Sequence, residues 1–181
     1  MKFRFDVNLS ERDYVDYNLF HLTKSPYGKK QLFPLRVMIA VLTVLLAVRA
    51  LVEYGFTAEG LIQAIAPIFI FTVLQLLLKP LFSVFTRVAV KSMKKTGKPA
   101  YSPTSVIEFD EDSFTETTPE NRIEQKYSSV ERISIIKDRF VYIHINNIMA
   151  YIIPMASFEN REEYDAFIGF IKTKCGSIDI Y

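Results

Sequence analysis

The sequence predicts an α+β membrane protein: a two-helix transmembrane hairpin joined to a curled antiparallel sheet that a C-terminal helix closes. Three observations lead there. Leu61–Leu78 is eighteen residues without a charge, and a second apolar run, Leu35–Val52, precedes it. Beyond residue 100, short runs rich in Val, Ile, Phe, Tyr and Thr alternate with turn residues, as strands and hairpins do. After the last of these runs the apolar period changes from two to that of a helix.

The elements follow in chain order. Residues 1–32 carry a cytoplasmic strand and helix. Lys2–Asn8 alternates Phe3, Phe5 and Val7 with Lys2, Arg4 and Asp6, the pattern of a half-buried strand. Ser10 then caps a helix that has Asp13 at its third position. This helix is expected to run to about Thr23 and to bury Val15, Leu19 and Leu22, with Ser25-Pro26-Tyr27-Gly28 stopping it. A lone strand is not stable, so Lys2–Asn8 is expected to pair with the C-terminal sheet.

Residues 33–91 form the hairpin and a juxtamembrane segment. Eighteen helical residues span about 27 Å, against a hydrocarbon core of about 30 Å. Thr72 and Gln75 are the inner polar groups of the second helix, and Pro67 should kink it. In the first helix Arg36 and Arg49 lie within a turn of the ends, where they snorkel to the headgroups; Glu53 stands four residues after Arg49 and can pair with it. The connecting loop Glu53–Gly60 has no Lys or Arg. Lys24, Lys29, Lys30 and Arg36 come before the hairpin; Lys79, Arg87, Lys91, Lys94, Lys95 and Lys98 come after it. The bias places both termini in the cytoplasm, in a multi-pass protein of the cytoplasmic (inner) membrane.

Lys79-Pro80 reads as the inner boundary of the second helix. Leu81, Phe82, Val84, Phe85, Val88 and Ala89 continue at helical spacing, as an amphipathic helix on the inner leaflet would. Residues 92–99 read as a basic linker. Lys91, Lys94, Lys95 and Lys98 are the candidate contact for anionic lipid, at about 1 kcal/mol each; the plainer reading is a topology signal.

Residues 100–181 form the C-terminal cytoplasmic domain. Strands are expected near Thr104–Asp110, Ser113–Thr118, Asn121–Tyr127, Arg132–Lys137, Arg139–Ile145 and Ile148–Ile153. Pro119-Glu120-Asn121 turns one hairpin, and Asn146-Asn147 fits a two-residue primed turn. Val141, Ile143 and Ile145 take one face of their strand; Phe140, Tyr142 and His144 take the other. Pro154 ends the strands. A helix from about Asn160 to Lys174 is capped by Asn160 with Glu163, and buries Tyr164, Phe167, Ile168, Ile171 and Cys175.

No chemistry stands out. The 181 residues carry a net charge of +2, too little for a nucleic-acid footprint. The first thirty residues lack the apolar core of a signal peptide. The one cysteine, Cys175, has no partner for an internal disulfide. His21 and His144 are far apart, and a metal site needs three or four ligands. No Gly-rich phosphate loop or nucleophile elbow is present, so no catalytic residue, metal ligand or cofactor is assigned. Glu108, Asp110, Glu111, Asp112 and Glu116 form the one acidic group in which a paired-carboxylate catalyst is conceivable.

The pattern resembles the YcxB-like family of small bacterial membrane proteins over essentially the whole chain. The resemblance rests on Phe3-Arg4-Phe5, Asp13-Tyr14, Lys24-Ser25-Pro26 and the two apolar helices. It continues through Ile107-Glu108-Phe109, Tyr127-Ser128-Ser129-Val130 and Ile153-Pro154 with Phe158. Tyr127 stands where the family more often has Trp, and Met155-Ala156 where a basic residue is common. The resemblance implies a pleckstrin-homology-like sheet closed by the C-terminal helix, and it supplies no functional residues. The expected function is a non-enzymatic, membrane-anchored module whose cytoplasmic domain binds a protein or lipid headgroups. Its partners are the bilayer and either anionic lipid or another membrane protein, with a homo-oligomer open and no nucleic acid. An oligomeric transport or channel component, and an enzyme using the acidic hairpin, are the alternatives.

Overall fold

A computed structural model describes residues 2–97, 101–146 and 149–181. The chain divides into two units, residues 1–14 with 98–181, and residues 15–97.

The first unit is built on strands. β1 (Phe3–Asn8) pairs antiparallel with β2 (Thr104–Phe109), Phe3 opposite Phe109 and Asn8 opposite Thr104. β3 (Ser113–Thr117) and β4 (Arg122–Lys126) complete a sheet of order β1-β2-β3-β4. At the Pro119-Glu120-Asn121 turn the Thr118 amide donates to the Asn121 carbonyl at 2.8 Å, and the Asn121 amide to Thr118 Oγ1 at 3.0 Å. The second sheet holds β5 (Arg132–Ile136), β6 (Phe140–His144), β7 (Ala150–Pro154) and β8 (Ile178–Ile180), in the order β7-β6-β5-β8. The expected Asn146-Asn147 turn and the start of its following strand fall partly on Asn147 and Ile148, outside the described residues.

α4 (Arg161–Lys174) buries Tyr164, Phe167, Ile168 and Ile171, and Cys175 follows on the same stripe. Asn160 Oδ1 accepts from the Glu163 amide at 2.8 Å. Glu163 reaches back one residue further than a usual capping box, taking the Glu159 amide at 2.7 Å. One apolar core joins β1, both sheets and α4: Phe5, Phe109, Ile133, Ile143, Ile153 and Phe167 are all fully buried within it. Phe5 sits at its centre, its ring 4.6 Å from Phe158, 4.9 Å from Phe167 and 5.9 Å from Phe109, centroid to centroid.

β6 keeps the two expected faces and is buried on both, Tyr142 and His144 as deeply as Val141 and Ile143. A strand covered on both sides reads as a nearly continuous apolar run, and Phe-Val-Tyr-Ile-His is one. β8 was not expected. It lies parallel to β5, Ile133 opposite Ile178, and a three-residue strand leaves little pattern to read.

The second unit is helical. α1 (Glu11–Thr23) begins at a Ser10–Asp13 box: the Asp13 amide donates to Ser10 Oγ at 3.2 Å, and the Ser10 amide to Asp13 Oδ2 at 2.9 Å. It buries Val15, Tyr17 and Phe20 rather than Leu19 and Leu22, which are only half buried. The buried face is turned so that the larger aromatic side chains leave water. α2 (Pro26–Tyr54) starts nine residues before the expected apolar run, because Ser25 caps it and Pro26 fits a first-turn position. Ser25 Oγ also donates to the His21 carbonyl and accepts from the Gly28 amide at 3.0 Å, tying the two helices at their junction.

α3 (Ala58–Lys95) is one helix of 38 residues. Pro80 does not bound it, since proline removes one donor and the helix resumes on either side. Ser92–Lys95, expected as linker, are helical, and Lys94 and Lys95 sit in the last turn where the helix dipole favours cations. Gly97, at φ +70°, follows the end; Lys98 and Pro99 of the expected linker lie outside the described residues. α2 and α3 are each long and apolar enough to cross a membrane, and most of their apolar side chains are exposed.

Candidate lipid-facing site

α3 gathers the basic residues that follow its apolar stretch. Arg87, Lys91, Lys94 and Lys95 are spaced i, i+4, i+7 and i+8, so they fall within an arc of about 100°. All four are exposed. Phe82, Phe85, Val88 and Met93 occupy the neighbouring arc and are exposed as well. The end of α3 is thus amphipathic, with a basic ridge beside an uncovered apolar strip. Of the four candidate lysines, Lys91, Lys94 and Lys95 share this ridge; Lys98 lies outside the described residues.

Sequence reasoning missed a second gathering of cations. Arg36 of α2 and Lys79 of α3 line one crevice of about 330 Å³, together with Gln75, Leu32, Leu76 and Phe82. Each was read separately, as a snorkelling end or a helix boundary. Their shared depth becomes visible only when the hairpin is folded back at Gly55. At the other end of the pair Arg49 Nε meets Glu53 Oε2 at 3.4 Å, the expected i,i+4 contact. Thr72 Oγ1 donates to the Ile68 carbonyl at 2.9 Å and so satisfies itself within its own helix.

In the strand unit the acidic group does not converge. Glu108 stands opposite Thr115 and takes Arg4 Nη1 at 3.2 Å; Glu111 takes Lys2 Nζ at 3.2 Å. Glu116 lies opposite Ile107, on the other face of the sheet from Glu108. Burial raises its carboxyl above the ordinary value, and a hydrogen bond with Ser105 offsets part of that. Nearby, burial and then the Glu116 charge raise the Tyr151 phenol, which bonds with Gln125; the Ser129 hydroxyl donates to Gln125 Oε1 at 3.1 Å.

The remaining candidates have structural settings. Burial pushes the Cys175 thiol up to about 11, which leaves it a poor nucleophile. His144 Nε2 lies 3.1 Å from Ser134 Oγ, both fully buried in the second sheet. Tyr127, at the position read as a departure from the resembling family's pattern, donates its hydroxyl to the Asp110 carbonyl at 2.8 Å. Among the described residues no group of three His, Cys, Asp or Glu side chains is placed to hold a metal ion.

A family model described as YcxB-like protein matches residues 109–171, from the end of β2 into α4. The match supports the family assignment over about a third of the chain, where the resemblance read from the sequence extended over nearly all of it. No curated protein matches the chain, and no solved structure does.

Proposed function

We propose, with the YcxB-like assignment of residues 109–171 as premise, that this is a non-enzymatic membrane protein presenting a cytoplasmic sheet domain to a protein partner or to lipid headgroups. One observation carries the topology. β1 and β2 pair along their whole length, yet the chain between Asn8 and Thr104 contains both long apolar helices. A segment that leaves a sheet and returns to it crosses a bilayer an even number of times, and two helices of this length supply two crossings. The lysine and arginine bias puts that sheet on the cytoplasmic side.

A pleckstrin-homology-like reading of the sheet unit is supported by its element order. Four antiparallel strands, β1 to β4, precede three more, β5 to β7, and a C-terminal helix fills the core with one apolar stripe. The basic ridge on α3 follows the second crossing in the chain, on the side to which anionic headgroups draw cations.

Reporters of compartment inserted at Thr57 and after Tyr181 test the topology. The expected result is Thr57 outside and the C-terminus inside; both on one side sinks the hairpin. Replacing Lys91, Lys94, Lys95 and Lys98 by Ala then separates the two kinds of partner. Stronger binding to anionic than to neutral vesicles would be lost if the ridge reads lipid, and unchanged binding leaves a protein partner.

A further inference from the structure

We propose that the crevice between α2 and α3 holds the headgroup of one anionic phospholipid from the inner leaflet. The inference rests on the reading that these helices span the membrane. Arg36 stands eighteen residues before the end of α2, and Lys79 twenty-one residues after the start of α3. At 1.5 Å per residue these are about 27 Å and about 32 Å from the connecting loop. Both cations therefore lie where a hydrocarbon core of about 30 Å ends.

Neither cation has an ion pair among the described residues, whereas Arg49, at the opposite end of the pair, meets Glu53. The Gln75 side chain, half buried beside them, makes no hydrogen bond with another described residue, yet an amide at the edge of the hydrocarbon core needs one. A phosphodiester satisfies all three groups at once: it accepts charge-assisted bonds from Arg36 and Lys79 and a neutral one from the Gln75 amide. The other walls are Leu22 and Thr23 of α1 with Leu32, Leu76, Leu78 and Phe82; the apolar ones suit the first methylenes of acyl chains. A volume of about 330 Å³ admits a headgroup but not whole chains, so the chains run along the exposed apolar flanks of the helices.

The test uses the full chain in vesicles of phosphatidylglycerol and phosphatidylcholine, followed by gentle detergent extraction and mass spectrometry of the intact protein with its retained lipid. The wild type should keep phosphatidylglycerol over phosphatidylcholine. The Arg36→Gln/Lys79→Gln variant should lose that preference by roughly thirty-fold, about fivefold for each cation removed. Arg36→Lys/Lys79→Arg, which keeps both charges, and Arg49→Gln should retain it. Retention of the preference in the Gln pair, or its loss in Arg49→Gln, overturns the proposal. So does displacement of the lipid by millimolar glycerol phosphate, which would show that a free anion suffices. Resistance of each variant to alkaline extraction is measured in parallel. If the wild type itself is extracted, the membrane reading falls and the crevice proposal with it; if it resists but shows no lipid preference, only the crevice proposal falls.

Discussion

Phe5→Ala should destabilise the C-terminal sheets, although Phe5 lies about a hundred residues before most of them in the chain. Its ring is fully buried and packs on Phe109, Phe158 and Phe167. Truncating a buried Phe costs about 3–5 kcal/mol. A domain of this kind has about 5–15 kcal/mol in all, so the loss is a large share of it. Every 1.4 kcal/mol is tenfold, so opening becomes more frequent by about two to three and a half orders of magnitude. Amide hydrogen exchange on the full chain reads this directly. Protection at Ile143 in β6 and Ile153 in β7 should fall by that factor, because both belong to the same core as Phe5. Arg4→Ala is the control. Its exposed pair with Glu108 is of the kind that contributes about 0–1 kcal/mol, so protection should change by less than tenfold. If Phe5→Ala accelerated exchange only in β1 and left Ile143 and Ile153 protected, the idea of one core assembled from both parts of the chain would be wrong.

Two further outcomes are expected. Gly28→Ala puts a Cβ onto the carbonyl oxygens of His21 and Leu22, with backbone and not a flexible side chain in the way. Overpacking of this sort costs about 1–3 kcal/mol, and protease cleavage between Thr23 and Gly28 should rise; equal resistance would contradict the tight α1–α2 junction. Glu116 has a folded-state pKa above its ordinary 4.5. Its protonated form is therefore favoured by folding, so this contribution is fully present below pH 4.5 and is lost as pH rises through the higher folded value. Glu116→Gln should be at least as stable as wild type at pH 7 and should gain less on acidification towards pH 5. A variant with the same pH slope as wild type would show that Glu116 is solvated.

The most legible parts of the chain were those whose pattern has a single solution. In α4 the residues Tyr164, Phe167, Ile168 and Ile171 recur at helical spacing between Asn160 and the lysines, and all are buried. β1 was legible as a strand by alternation, and its partner by the argument that a lone strand has nowhere to bury Phe5 and Val7. Choices between two apolar faces were not legible. In α1 the rows through Leu19 and through Phe20 are both apolar, and only packing decides between them. In β6 alternation separates Val141 and Ile143 from Tyr142 and His144 without saying which face is covered, and both are. The crevice was hidden for another reason: Arg36 and Lys79 are 43 positions apart, and their equal depth is a property of the folded-back pair.

The pairing of β1 with β2 also imposes a schedule on synthesis. Asn8 and its partner Thr104 are separated by 96 positions, which a ribosome takes about 5–20 s to add. During that interval β1 has no sheet to join, and both apolar helices, which the proposed function places in a bilayer, emerge. Once β2 appears it meets a partner tethered through the hairpin rather than one arriving by diffusion. A chain whose hairpin stays out of the bilayer would leave β2 with a bare edge of unpaired amides and carbonyls, the sort of surface that recruits other strands. Completion of the first sheet is in this way a checkpoint on the helices, and aggregation-prone product is the expected signature of failed insertion.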